Sequence, residues 1–221
     1  MSGSVRNPSV FWSYVCAARA SIEMRLAGLA EPTYADIVAR CPDLISALAA
    51  YDPLLTPEIR HNEEVVEFVV SADLAPECFA SAHDLVAAAP AVPGWRIRAL
   101  RPRRDIPRFI VDNGCRLDTA RLRVAYGLAN DRMVAMVLIE DDLPGDYFEA
   151  QYLARRIVAD MLGEEDFANW MADARMLRYE DWLAISPGGR SWPLAELPAR
   201  FDGIFHRRPR EVDYEALALS A

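Results

Sequence analysis

Arg96, Arg98, Arg101, Arg103, Arg104 and Arg108 crowd into one short stretch of the chain, and their guanidinium forks suit two-point recognition of carboxylates and phosphates. Arg96 and Arg98 are two positions apart, so in an extended segment both side chains stand on the same face. Arg96, Arg98, Arg101 and Arg103 are therefore the expected binding residues, for a small anionic ligand or a protein partner. The ordinary alternative is that they pair with the chain's own acidic residues, their stems covering apolar surface while their heads stay solvated. An arginine-rich composition makes such runs common, which favours that alternative.

A second constellation is His83, on a helix four residues after Phe79, with Asp73 in the preceding turn and one of the arginines. If they converge in a pocket they form an irregular acid-base site, since imidazole titrates near neutrality. The alternative for His83 is an edge imidazole hydrogen-bonded to backbone. Cys78 lies near the start of the same helix, where a thiolate is favoured in principle, but the apolar face there points to inert packing. Glu140, Asp141, Asp142 and Asp146 gather after a strand, as a hard divalent cation requires. They match no calcium-loop spacing, and a solvated acidic turn with Asp146 capping the next helix is the simpler reading. Glu164, Glu165 and Asp166 suit the first turn of a short helix through its dipole. His61, His83 and His206 lack any paired ligand spacing, so no metal site or cofactor is expected. Residues 187–192, PGGRSW, offer a flexible backbone, an arginine and an aromatic. Those suit a small binding lip and ordinary turn chemistry equally.

The 33 acidic against 24 basic residues give a net charge of −9, which disfavours broad binding to nucleic acid or anionic membrane. All basic residues apart from histidine are arginine, so Schiff-base and Walker-loop lysines are excluded. No G-x-S-x-G or G-x-G-x-x-G supports a hydrolase elbow or a dinucleotide site. Cys16, Cys41, Cys78 and Cys115 show no C-x-x-C spacing, and with no leader-like start or membrane-length apolar run the expected location is cytoplasmic. The five tryptophans read as core or edge packing.

The elements that position these residues follow from periodicity. Phe11, Val15, Ala18, Ile22, Leu26 and Leu29 predict a helix over residues 9–29 with Ser9 as its cap. Thr33 with Asp36 opens a second helix, which Pro42 breaks or restarts, and residues 51–62, with two prolines, read as a connector. Residues 63–104 form the clearest unit: a nearly continuous apolar strand of Val65, Val66, Phe68, Val69 and Val70, a helix with Pro76 in its first turn, and an alternating strand from Trp95 to Ala99. The helical connection makes these strands parallel with a right-handed crossover. Turns at Asn113–Gly114 and Asn130–Asp131 predict antiparallel strands that extend the same sheet. A helix from Asp146 stopped by Gly163, a short helix at 164–171, a strand at 176–179, a helix at 194–205 and a polar tail complete the chain.

The strand VVEFVVSAD, the helix ending LVAAAP and the GW that opens the arginine-rich strand resemble a family of uncharacterised soluble bacterial proteins of unknown function, over residues 50–180. The resemblance implies an α+β fold and no assigned activity. Where those proteins carry glycine after the Ala-Asp turn this chain has Leu74, so the residue that eases a left-handed turn is missing. The element order predicts an α+β, ferredoxin-like mixed sheet, with helices in 1–62, a core in 63–180 and a loop, short helix and tail in 181–221. The expected function is a non-catalytic binding or interaction module using the arginine strand. A small enzyme built on His83, Asp73 and an arginine, and an acidic toxin-neutralising or regulatory partner, are the alternatives.

Overall fold

A computed structural model describes residues 7–29, 31–61, 65–112 and 115–206. Its helices are α1 (Pro8–Leu26), α2 (Tyr34–Arg40), α3 (Pro42–Tyr51), α4 (Phe79–Ala87), α5 (Tyr147–Leu162), α6 (Glu164–Trp170), α7 (Tyr179–Ile185) and α8 (Leu197–Phe205). Its strands are β1 (Thr56–His61), β2 (Val66–Ser71), β3 (Trp95–Ala99), β4 (Phe109–Asp112), β5 (Cys115–Asp118), β6 (Arg123–Ala129), β7 (Arg132–Ile139), β8 (Met171–Arg178) and β9 (Trp192–Pro193). The chain is α+β. A ferredoxin-like plan keeps its strands in one sheet, whereas here they divide among three, β1-β2-β3, β4-β5 and β8-β7-β6-β9. No described helix is long and apolar enough to cross a membrane.

The chain forms two compact units, one of residues 1–103 with 163–169 and the other of residues 104–162 with 170–221. In the first, β2 is central, antiparallel to β1 and parallel to β3, with Val66 opposite Trp95 and Val70 opposite Ala99. The parallel pair through α4 is the one expected. β1, in contrast, occupies the stretch expected to be a connector: Pro57 and Ile59 point inward, and an edge strand tolerates a proline that lacks an N–H. Asn7, with Pro8 at the first helical position, caps α1 in place of Ser9, while Thr33 and Asp36 close the capping box expected of α2.

The N-terminal helices belong to the same core as the strands, so no boundary falls at residue 62. Phe11, Trp12, Leu44, Leu48, Phe68, Val70 and Leu85 are all buried in one cluster, and the Trp12 indole N–H donates to the Leu85 carbonyl at 2.7 Å. Phe68 meets Trp12 edge-on and stacks on Trp95.

In the second unit β6 and β7 form a hairpin through Asn130 and Asp131, whose φ of 51° and 61° give the left-handed turn this connection needs. β8 runs parallel to β7 and forms one edge of the sheet, and the two-residue β9 forms the other. β8 begins earlier than residue 176, directly after α6. Trp182 of α7 packs on Ala125 and Leu138. Alternate residues such as Val137, Ala174 and Met176 turn to the opposite face and are fully buried. β4 and β5 make a separate hairpin, and its expected Asn113–Gly114 turn lies outside the described residues.

Phe68→Ala should cost about 3–5 kcal/mol, as for other large aromatic truncations in a closed core. Urea denaturation followed by tryptophan fluorescence measures it, and a loss under about 1 kcal/mol would mean that the aromatic cluster does not organise this unit.

Candidate functional site

In the first unit Glu58, Arg60, Glu67, Arg96 and Arg98 occupy alternate positions opposite the apolar set Ile59, Phe68 and Ile97. Arg98 Nε lies 2.8 Å from Glu67, and Arg60 lies 3.1 Å from Glu58 and 4.0 Å from Glu67. Arg103 pairs with Asp166 at 2.6 Å. Arg101, only 7% exposed, reaches Glu58 and Asp73, each at 3.0 Å. Arg96 stands exposed and has no acidic partner among the described residues. The other two arginines of the run belong to the second unit, where Arg104 pairs with Asp160 and Arg108 lies 3.7 Å from Asp118. Most of the arginine run is thus engaged within its own unit, leaving Arg96 and the half-exposed Arg98 as its open part.

The centre of the first unit's polar network is Glu164, which is fully buried. Its Oε1 accepts from the Leu74 amide at 2.9 Å and its Oε2 from the Arg101 amide at 2.9 Å. Ser71 Oγ lies 3.2 and 3.0 Å from the two oxygens, and Arg101 Nε lies 3.8 Å from Oε2. Ser71 ends β2, and the Leu74 and Arg101 donors sit just beyond the C-terminal ends of the parallel strands β2 and β3. Leu74 and Leu100, with φ of 68° and 62°, hold the left-handed conformation that aims both amides at one point, and Asp73 at 47° completes the first turn. That conformation costs a side-chain-bearing residue roughly 1–2 kcal/mol. A buried carboxylate is tolerated only when paired and hydrogen-bonded, and here each requirement meets the other. The left-handed turn forms without glycine because Glu164 holds it. Sequence reasoning assigned Glu164 to the dipole of its own helix and placed Glu58 in a connector, because nothing local links either to Arg101.

Asp73 is brought to Arg101, but His83 lies exposed on α4, and among the described residues no hydrogen bond or ion pair joins it to Asp73 or to an arginine. Cys78 and Cys41 are buried, and burial raises the Cys41 thiol above its ordinary range against the pull of Arg25 and Arg40. In the second unit the acidic turn is held by Arg121, 2.9 Å from Asp141 and 3.5 Å from Glu140. Asp146 exchanges side-chain to backbone hydrogen bonds with Glu149 at the start of α5, the capping role expected of it. The 187–192 lip is bound into the unit: Trp192 stacks on Tyr126, the Arg200 guanidinium lies 4.1 Å above the Trp192 ring, and Arg123 holds Ser191.

The second unit also carries a groove of about 370 Å³ between α5 and the edge strand β8, lined by Tyr147, Phe148, Gln151, Tyr152, Arg155, Asp173, Ala174 and Arg175. Tyr147, Phe148 and Tyr152 are 56%, 79% and 56% exposed. Asp173 takes Arg155 at 3.0 Å and Arg175 at 2.7 Å, and accepts from the Ala174 amide at 2.9 Å. The Gln151 amide donates to the Met176 carbonyl and accepts from the Met176 N–H, both at 3.0 Å. Partial burial pulls the Asp173 carboxyl upward, but the hydrogen bonds from Arg175 and Arg155, the charge of Arg155 and the Ala174 amide outweigh it and hold it below the ordinary aspartate value. Helical spacing puts Tyr147 on one face with Ala150, Ala154, Ile157, Val158 and Met161, yet it is 56% exposed; Phe148 and Tyr152, four positions apart on the same helix, fall outside that apolar set and carry no signal of their own in the sequence.

Comparison of the chain with protein-family models, with curated proteins and with solved structures finds no match.

Glu164→Ala should destabilise the first unit by about 3–5 kcal/mol, because it strands buried donors and part of the charge of Arg101. Leu74→Gly, which removes the steric cost at φ 68°, should stay within about 1 kcal/mol of the native protein; chemical denaturation of both variants compares them. Equal losses would show that the leucine, not the carboxylate, holds the turn. Because the folded value of Asp173 lies below its unfolded one, its contribution is complete above the unfolded value and disappears as pH falls through the folded one. Asp173→Asn should accordingly flatten the acid side of the stability profile, and an NMR titration of the native protein should find this carboxyl below the ordinary aspartate range.

Proposed function

We propose that the protein is a non-catalytic binding module whose recognition surface is the groove between α5 and β8. The observation that carries this reading is the exposure of Tyr147, Phe148 and Tyr152 beside Arg155 and Arg175. Aromatic residues and arginine supply rigid contact area and directional hydrogen bonding, and are enriched where proteins meet. Three large exposed aromatic side chains on one helix are a patch that a solvated surface has no need of. The open arginines of β3, Arg96 and Arg98, are a second surface for an anionic group or a protein partner, supported by the exposure of Arg96.

The element order β2-α4-β3, β6-β7, α5-β8 is what supports a ferredoxin-like reading of the α+β fold, against the division of its strands among separate sheets. A cytoplasmic location fits Cys16, Cys41 and Cys78, none of which is in a disulfide.

Phe148→Ala combined with Tyr152→Ala should leave the circular dichroism spectrum and melting temperature nearly unchanged, while removing most of the partner protein retained by immobilised native protein. Arg96→Ala combined with Arg98→Ala, run in parallel, separates the two surfaces. Full retention by the aromatic variant would reject the groove, and loss through the arginine variant alone would move recognition to β3.

A further inference from the structure

The sheet of the first unit ends on one side at β3, and its backbone is open there. The Val66 N–H donates to the Gly94 carbonyl and the Leu100 N–H to the Val70 carbonyl, both at 2.9 Å. These two bonds set the phase of the parallel ladder. The backbone groups of Gly94, Arg96, Arg98 and Leu100 face β2, and those of Ile97 and Ala99 face away from the sheet. Among the described residues nothing bonds the outward N–H and C=O of Ile97 and Ala99, and both residues are only half-buried. An open row of this kind is a template for strand addition. The opposite edge is blunted, because Pro57 of β1 has no N–H to offer.

Charge alternates from strand to strand on the solvent face of this sheet. Arg60 of β1 lies 4.0 Å from Glu67 of β2, and Glu67 lies 2.8 Å from Arg98 of β3. Glu67 stands opposite Arg96 in the ladder but is taken up by Arg98 and Arg60, so the row ends on an arginine with no acidic partner. A further strand continues the alternation when its residues on this face are acidic. Its other residues fall on the face of Trp95, Ile97 and Ala99, where apolar side chains fit. A second copy of β3 does not meet these terms. Laid antiparallel about Ile97 it sets Arg96 against Arg98 at both ends, and laid parallel in register it sets each arginine beside its own counterpart. Pro93 and Gly94 before β3 and Pro102 after it confine the pairing to the strand itself.

We propose that β3 is a strand-addition edge for an acidic extended segment of a partner protein, whose backbone bonds Ile97 and Ala99 and whose carboxylates meet Arg96 and Arg98. This rests on the reading of Arg96 and Arg98 as a recognition surface and names the class of partner. The ladder supplies attachment whatever the sequence of the added strand, and the two arginines select the acidic one.

A capped peptide of alternating valine and glutamate, long enough to span β3, is the probe. Added to the full chain, it should slow amide hydrogen exchange at Ile97 and Ala99, read by NMR. Arg96→Glu should weaken its binding about tenfold at an unchanged melting temperature, and the same peptide with arginine in place of glutamate should not bind. Alternate residues of a strand turn their backbone groups to opposite edges, so methylating the peptide nitrogens of the valines alone or of the glutamates alone should abolish binding in one case and spare it in the other. Unchanged exchange at Ile97 and Ala99 with the peptide at millimolar concentration overturns the proposal, as do equal binding of the arginine peptide and equal effects of the two methylations. Protection of the two amides without peptide that disappears on dilution would give the edge to a second copy and reject the acidic partner. If inorganic phosphate shifts the guanidinium signals of Arg96 and Arg98 while the peptide leaves both amides unprotected, the arginine surface stands and strand addition falls. If neither probe perturbs β3, both readings fall.

Discussion

A single buried carboxylate ties the first unit together. Glu164 gathers two backbone amides, a hydroxyl and an arginine at the ends of two parallel strands. Each of these groups is costly to bury alone, and each becomes tolerable because the others are there. The strained leucines on either side follow from the same arrangement, since their left-handed backbone aims the amides at the carboxylate. The place where open parallel sheets commonly receive ligands is here filled by the protein's own side chain. The arginine that sequence inspection selected as a binding group is engaged in holding that side chain in a closed polar core.

The parts of the fold legible in the sequence were those set by local pattern. The apolar run of β2, the proline that opens the segment leading into α4, and the alternation of Trp95, Ile97 and Ala99 with arginines specify a parallel pair without reference to anything distant. The capping roles of Thr33 and Asp146 were equally local. β1 was hidden because Pro57 reads as a breaker until it is known to sit at a sheet edge. The division of the strands among separate sheets was hidden because alternation fixes which face a residue takes, and does not fix which neighbour its strand acquires.

The candidate site was less legible for the same reason. Arg96 to Arg103 could be found by residue type, but their engagement depends on Glu58, Glu67, Asp73, Glu164 and Asp166, drawn from β1, β2, a turn and α6. The edge of β8 was missed because Met171 to Arg178 alternates charge and small apolar residues without the β-branched run that marks a buried strand. Its meaning lies in what its outward backbone groups touch, and sequence carries no direct record of that.

The separation of Glu164 from its receptors also orders events during synthesis. Leu74 and Arg101 precede Glu164 by 90 and 63 positions, so the two amides of the first unit leave the ribosome before the carboxylate that accepts from them exists, while Arg101 already has Glu58 and Asp73 behind it in the chain. The helices and strands of residues 1–103 can collapse on their apolar faces during that interval, with the turns beyond β2 and β3 joined by the Asp73–Arg101 pair but their amides not yet accepted by Glu164. Completion of the N-terminal unit therefore waits until most of the second unit has been made. Proteins whose N-terminal unit folds independently during translation avoid that dependence.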